Sequence, residues 1–361
     1  MRKLLQKLFS PLVIRLANKY SSRPDQQRVH SALTALYDDI RQRPGKRGQH
    51  INLPDQHRII IFSDQHKGDR SYQDDFVQSE ANYLAALAYY NEQDYLYCNL
   101  GDSEELWENM LVEVMMHNKQ TFEAEKRFLE RNAFIKLFGN HDLYWDNDPL
   151  ASLMLEKIYG QKLKVYEGIL FSLSVAGQPL DLFMTHGHQG DQHSDGNWFS
   201  KWFVSNIWGP IQSFLRINPN TPAYDNQLKS AHNQIMYDWT AKQNNLALIT
   251  GHTHQPVFNS LTHLERTYIR IAEAKKKADT VTVQKLEAEL LAGNISGAVS
   301  PRLEYSKNTY FNAGCCCFSD GDITGIEIED GHIRLIEWKK DSNQVPQRIV
   351  LEETALLNLL G

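Results

Sequence analysis

Asp64, His66, Asp102, Asn140, His186, His252 and His254 can each donate an oxygen or a nitrogen to a divalent cation, and they occur in short clusters. The clusters read Asp64-x-His66, Gly101-Asp102, Gly139-Asn140-His141, His186 and Gly251-His252-x-His254. A mixture of carboxylate, amide and imidazole suits manganese, iron or zinc, whereas magnesium sites use oxygen ligands and keep several waters. In this order the residues have the ingredients of a two-metal hydrolytic site.

Each cluster follows a stretch that reads as a buried strand, at 58–62, 95–98, 133–138, 181–184 and 246–249. Ligands at the carboxyl ends of adjacent strands converge at one rim of a sheet, where α/β folds place their sites. Glycines beside them let the backbone turn sharply. Helical patterns at about 75–91 and 120–132 alternate with the strands, which predicts βα units and sheet layers covered by helices.

The five blocks stand as Asp64-Gln65-His66, Gly101-Asp102-Ser103-Glu104-Glu105, Gly139-Asn140-His141-Asp142, His186-Gly187 and Gly251-His252-Thr253-His254. This series resembles the calcineurin-like metallophosphoesterase superfamily, from about Ile59 to His254. The resemblance implies an α/β (α+β) fold: a metallophosphoesterase-type four-layer sandwich of two mixed β-sheets flanked by helices, with helical insertions. It implies two divalent metal ions, most simply manganese, with iron or zinc as alternatives. One would be held by Asp64, His66, Asp102 and His254, the other by Asp102, Asn140, His186 and His252, with Asp102 bridging. The activity implied is in-line attack of a metal-bridging hydroxide on a phosphate ester or diphosphate, with no covalent enzyme intermediate. His141 would act as general acid or stabilise the developing phosphoryl charge. Asp142 would orient that imidazole, or else cap a surface helix.

The segment from Gly101 to Trp107 is similar to the G-D-x-x-E-x-W form of UDP-2,3-diacylglucosamine diphosphatases. That similarity implies a lipid-linked diphosphate as an alternative to a small-molecule phosphate substrate. A protein phosphatase is also compatible with the fold, although Gly251-His252-Thr253-His254 resembles the small-molecule and nuclease branches more. A non-catalytic scaffold would be expected to have lost ligands, and here the set is complete.

Other polar residues near the blocks have two readings each. Lys67 and Arg70 can touch substrate phosphate or stand as solvated loop charges. His188, Asp191 and His193 can line the pocket, form a polar loop or hold a third metal. Asn312, after the strand-like 309–311, reads as a turn residue.

A chain of 361 residues with 42% hydrophobic content can bury a large core. Its net charge of -6 argues against a general nucleic-acid binder. Three of the four cysteines, Cys315, Cys316 and Cys317, are consecutive and cannot close a regular bridge. They read as small apolar residues beside a sheet, which favours a reducing, cytoplasmic setting.

The domain expectation is an N-terminal helix and linker over 1–50, then a catalytic domain over 51–361. Leu4, Leu8, Leu12 and Leu16 recur every fourth residue among Arg2, Lys3, Lys7, Arg15 and Lys19. Such a basic amphipathic helix can dock on the protein's own body or lie on an anionic membrane at its inner face. It does not read as a secretory signal, because charges break the apolar run. Residues 21–52 read as a polar, basic linker. A helical cap is expected at about 190–245, rich in aromatics such as Trp198, Trp202 and Trp208, which form the cap's core or touch an apolar substrate group. A charged helical hairpin is expected at about 260–307. Strands near 323–329, 332–338 and 348–352 are expected to complete the second sheet. No stretch approaches the roughly 20 apolar residues of a membrane span.

Overall fold

The computed structural model describes residues 25–54, 57–71, 74–190, 226–292 and 309–360. The expected basic helix within 1–20, the aromatic segment around Trp198–Trp208, Asp191 and His193 lie outside the described residues.

The strands along the chain are β1 (Gly48–Asn52), β2 (Ile59–Phe62), β3 (Leu96–Asn99), β4 (Phe134–Leu137), β5 (Val165–Tyr166), β6 (Gly168–Val175) and β7 (Gln178–Thr185). They continue as β8 (Leu246–Thr250), β9 (Val257–Phe258), β10 (Leu261–Thr262), β11 (Tyr310–Asn312), β12 (Ile323–Glu329), β13 (His332–Lys340) and β14 (Pro346–Ala355). They form two mixed seven-stranded sheets, ordered β1-β6-β7-β8-β11-β9-β10 and β14-β13-β12-β2-β3-β4-β5. The principal helices are α1 (Gln26–Gln42), α2 (Phe76–Glu92), α3 (Lys119–Glu130), α4 (Ala151–Tyr159), α5 (Asn226–Thr240), α6 (His263–Lys276) and α7 (Thr280–Ala292).

Strand β2 shows why this sequence makes four layers. Ile59 and Ile61 point into the core between the sheets, with Phe171, Leu182, Met184 and Ile249 of the opposing sheet. Ile60 and Phe62 point the other way, onto a layer containing Tyr83, Leu87, Phe128 and Leu155 of α2, α3 and α4. Alternate side chains face opposite sides of a strand, so a strand covered on both faces needs an unbroken apolar run. On the far side of the other sheet, α1 and α5 bury Leu33, Leu36, Met236 and Trp239 against Leu170, Phe183 and Leu248. The order is helix, sheet, sheet, helix.

Two expectations are corrected. The stretch read as a linker contains α1, capped where Arg28 N donates to Asp25 Oδ1 at 2.8 Å. Its Val29, Leu33, Leu36 and Ile40 form a narrow apolar stripe on one helix face, and all are fully buried. A polar mean composition hides a stripe that narrow. Gly48–Asn52 then pairs in parallel with Gly168–Ser172, so this segment is part of the folded domain and not a tether to it.

The C-terminal strands also join a different partner from the one expected. They extend the β2 sheet, with Ile326 opposite Ile61, and the second sheet is instead built around the β6–β7 hairpin and β8. Within the segment expected as a charged hairpin, the described residues 260–292 contain α6 and α7, and the rest of it lies outside the described residues. The start of α6 is a capping box in which Glu265 N donates to Thr262 Oγ1 at 3.3 Å and Thr262 N donates to Glu265 Oε2 at 2.8 Å. No helix among the described residues is long and apolar enough to cross a membrane.

Candidate metal centre

The five blocks sit on loops after β2, β3, β4, β7 and β8. They come from both sheets, not from one rim of a single sheet as expected. Five of the seven candidate ligands adopt left-handed backbone: Asp64 (φ 55°), His66 (51°), Asp102 (50°), His252 (70°) and His254 (52°). For a non-glycine residue this costs roughly 1–2 kcal/mol, and hydrogen bonds between the loops offset it. Asp64 N donates to Gly101 O at 3.1 Å, His66 N to Asp102 O at 2.9 Å, and His252 N to Asp64 Oδ2 at 2.9 Å. At Gly251 and Gly101 only glycine fits. A Cβ on Gly251 would collide with Ser63 Oγ and the Asp64 carboxylate, and one on Gly101 with the backbone of Phe138 and Gly139.

The loops bring the candidate ligands together. Donor atoms of Asp64, His66 and Asp102 lie within 4.8 Å of one another, as do those of Asp102, His186 and His252, so Asp102 belongs to both groups. His254 Nε2 is 3.1 Å from His66 Nε2 and 3.2 Å from Asp64 Oδ1. His186 Nε2 is 3.0 Å from Asp102 Oδ2 and 3.2 Å from Asn140 Oδ1. Away from this focus, three imidazoles are held on their second nitrogen: His186 Nδ1 by Leu100 O at 3.2 Å, His66 Nδ1 by Glu105 at 2.9 Å, and His254 Nδ1 by Cys317 Sγ at 3.8 Å. Metal-binding histidines are oriented in this way.

The electrostatics fit cations. Burial would raise the Asp64 carboxyl, but the His186 and His254 imidazoles outweigh it and hold the group well below the usual carboxylate range. Burial pushes His252 well below its ordinary value, with His186 and His232 adding to the effect. Burial thus favours the neutral imidazole of His252, whose buried Nε2 has no hydrogen-bond partner among the described residues. Lone pairs converging on one buried space could hold divalent ions, with Asp64, His66 and Asp102 in one donor group and Asp102, His186 and His252 in another.

His141 stands at the edge of this cluster, its ring edge-on to His66 at 4.6 Å. It stacks on Trp107 at 4.0 Å, and its Nδ1 is 2.6 Å from Glu105 Oε2. Burial would raise the Glu105 carboxyl, but His141 and His66 bring it down to about 2. Asp142, the residue expected to orient His141, faces elsewhere. Its fully buried carboxylate accepts from Gly139 N at 2.6 Å, Ser103 N at 2.9 Å and Asp102 N at 3.2 Å, tying two ligand loops together. Burial pushes Asp142 up to about 6, with Lys136 opposing and Asp102 and Glu104 reinforcing. Sequence reasoning therefore missed Glu105 and Trp107 as partners of His141, although both lie in the quoted segment.

Lys67 is not available to substrate. It is fully buried, with Nζ 2.7 Å from Glu125 and 3.1 Å from Glu104, while Lys136 reaches Glu104 at 3.0 Å. The hydroxyls of Tyr83 and Tyr159 complete the shell of Glu125, and Trp145 Nε1 donates to Glu104 at 2.7 Å. Arg70 turns toward α2 and is engaged by Glu80. His188 is buried beside His186 and Phe138, a lining position. Asn312 forms the expected turn by accepting from Gly314 N at 2.9 Å, and it also donates to Gly251 O at 2.6 Å. All four cysteines are free and buried.

Residues 57–256 match the calcineurin-like phosphoesterase family. This is over half of the 361-residue chain, and the chain belongs to that family. It is a hydrolase acting on phosphate esters, of a family that depends on two metal ions. Its fold is similar to a dimetal phosphatase from Danio rerio, with 9% identity over 82% of this chain and 99% of that one, at a TM-score of 0.37. It is also similar to Vacuolar Protein Sorting 29 from Cryptosporidium parvum (10% identity, 83% and 98% covered, TM-score 0.33). A protein serine/threonine phosphatase from Saccharomyces cerevisiae shows 11% identity over 90% of each chain, with a TM-score of 0.32. No curated protein matches the chain significantly. Nothing in these comparisons supports the UDP-2,3-diacylglucosamine diphosphatase resemblance.

Proposed function

We propose that this protein is a dinuclear manganese phosphoesterase acting on a small-molecule phosphate ester or diphosphate, with His141 as the proton donor to the leaving oxygen. The observation that carries the reading is the His141 ring clamped between Trp107 and Glu105 at the edge of the Asp102-centred donor cluster. Two divalent ions held by that cluster would supply a water of lowered pKa and neutralise charge on the phosphoryl group.

The chain's own residues contribute orientation and a proton. With Nδ1 turned to Glu105, His141 has Nε2 as the nitrogen that can carry a proton to the leaving group. The indole face restricts the rotation of the ring. Four histidines, two aspartates and one asparagine in the ligand set support manganese, iron or zinc over magnesium. Free, buried cysteines support a reducing, cytoplasmic setting.

The test is hydrolysis by manganese-loaded protein of p-nitrophenyl phosphate, its bis-ester and a nucleotide-diphosphate lipid. Turnover of a soluble ester that disappears in His141→Ala supports the reading. Selective cleavage of the lipid diphosphate would move the substrate to the lipid-linked class, and no turnover of any with two metals bound would overturn the reading. Peripheral membrane contact through residues 1–20 is a separate part of the proposal. Anionic-liposome binding that survives deletion of those residues would remove it.

A further inference from the structure

One buried carboxylate joins three of the ligand-bearing loops. Lys67 directly follows His66 on the loop after β2, and Glu104 shares the loop after β3 with Asp102. Lys136 on β4 leads into Asn140 and His141, and Trp145 follows that block. The donors of all three segments end on Glu104: Lys67 Nζ at 3.1 Å, Lys136 Nζ at 3.0 Å and Trp145 Nε1 at 2.7 Å. The side chains of Glu104, Lys67 and Lys136 are wholly buried, and Trp145 is 5% exposed.

The loops after β2 and β3 are already tied by backbone. Lys67 N donates to Ser103 O at 3.0 Å and Glu105 N to Lys67 O at 3.0 Å, a short parallel ladder beyond the strand ends. The loop after β4 is held to them by Leu106 N, which donates to His141 O at 3.3 Å, and by the carboxylates of Asp102, Asp142 and Glu104. Asp102 is itself a candidate ligand, and Asp142 accepts from its backbone N–H. Glu104 acts from behind, through lysines that belong to a charge-balanced set: Lys67 and Lys136 against Glu104 and Glu125, with Lys67 Nζ 2.7 Å from Glu125. A balanced buried set adds little net stability over apolar packing, because desolvation offsets the attraction. With every member satisfied, it makes the groups it joins rigid.

We propose that Glu104 is a positioning residue of the metal centre. By holding Lys67, Lys136 and Trp145 at once, it sets the spacing of the loops that carry Asp64 and His66, Asp102, and Asn140. That spacing governs the affinity of the centre for divalent cations. The assignment rests on the two-metal reading above.

The test is calorimetric titration of the metal-free full chain with manganese, in the parent and in three variants whose folding is checked by circular dichroism. Trp145→Phe removes one bond to Glu104 without changing charge. Glu104→Gln removes a buried anion, and Lys136→Met removes a buried cation. Positioning predicts weaker manganese binding in all three, by about tenfold or more, the usual scale for outer partners of a metal site. Electrostatics alone predicts opposite shifts, because losing the lysine would tighten cation binding and losing the glutamate would weaken it. A purely structural role would lower stability and leave the affinity of the folded proteins unchanged. Opposite shifts in Lys136→Met and Glu104→Gln, or parent-like affinity in the folded variants, would therefore overturn the assignment. If Glu104→Gln does not fold, Trp145→Phe and Lys136→Met decide, since weaker binding in both is expected from positioning only. A parent that binds no manganese would overturn the two-metal reading and this assignment with it. A parent that binds manganese no better than its variants would overturn this assignment alone.

Discussion

Glu105 Oε2 lies 2.6 Å from His141 Nδ1, and the same oxygen is 2.9 Å from His66 Nδ1. One carboxylate thus orients both the proposed proton donor and a candidate metal ligand, so the two parts of the site are mechanically coupled.

Glu105→Gln should lower kcat by about 10–100-fold, the usual effect of removing an outer partner of a site histidine. His141→Ala should keep both metals and lose more turnover on an alkyl phosphate than on p-nitrophenyl phosphate, because a proton matters most to a poor leaving group. Comparing kcat on the two esters checks this. Equal losses would leave His141 an electrostatic role and remove the acid role.

Asp102→Ala should abolish binding of both metals, because Asp102 belongs to both donor groups. Asn140→Ala, which touches only the His186 side, should spare one. Elemental analysis after manganese loading distinguishes them. Two metals retained in Asp102→Ala would sink the bridging role.

Lys67→Met should destabilise the fold by about 3–5 kcal/mol, the cost of leaving a buried carboxylate without its cation. The affected group is Glu125, with Glu104 still held by Lys136. Urea unfolding at neutral pH measures it. A loss below about 1 kcal/mol would be typical of a surface pair and would contradict the burial.

Acid stability should carry the signature of Glu104. Burial would raise its carboxyl, but Lys136 and Lys67 outweigh this and hold it at about 2, against an ordinary value of 4.5. A depressed folded value means the stabilisation is complete above about pH 4.5 and is lost as pH falls through that window toward 2. Between pH 4.5 and 2.5 the parent should therefore lose more unfolding free energy than Glu104→Gln. Parallel curves for the two proteins would show that the ion pair is not what acid breaks.

The candidate donors were legible because metal chemistry constrains residue type and the chain keeps each donor beside its strand. Ile59 to Phe62 reads as a strand, since an unbroken apolar run is what two covered faces require. Val29, Leu33, Leu36 and Ile40 were equally available to inspection, yet Arg28, Arg41, Arg43, Asp38 and Asp39 around them made the segment look like a tether.

The sequence by itself determined which side chains could bind metal, which segments are strands, and that helices cover them, because all of these follow from residue type and short-range period. Only the tertiary structure decided that the ligand loops come from two sheets, that the C-terminal strands extend the β2 sheet, and that Lys67 is engaged by Glu125. It also decided that Glu105 and not Asp142 faces His141. Each of those is a choice among chemically equivalent partners. Ile61 can pair with any strand, and His141 with either carboxylate, until backbone packing brings one within 3 Å and turns the other away.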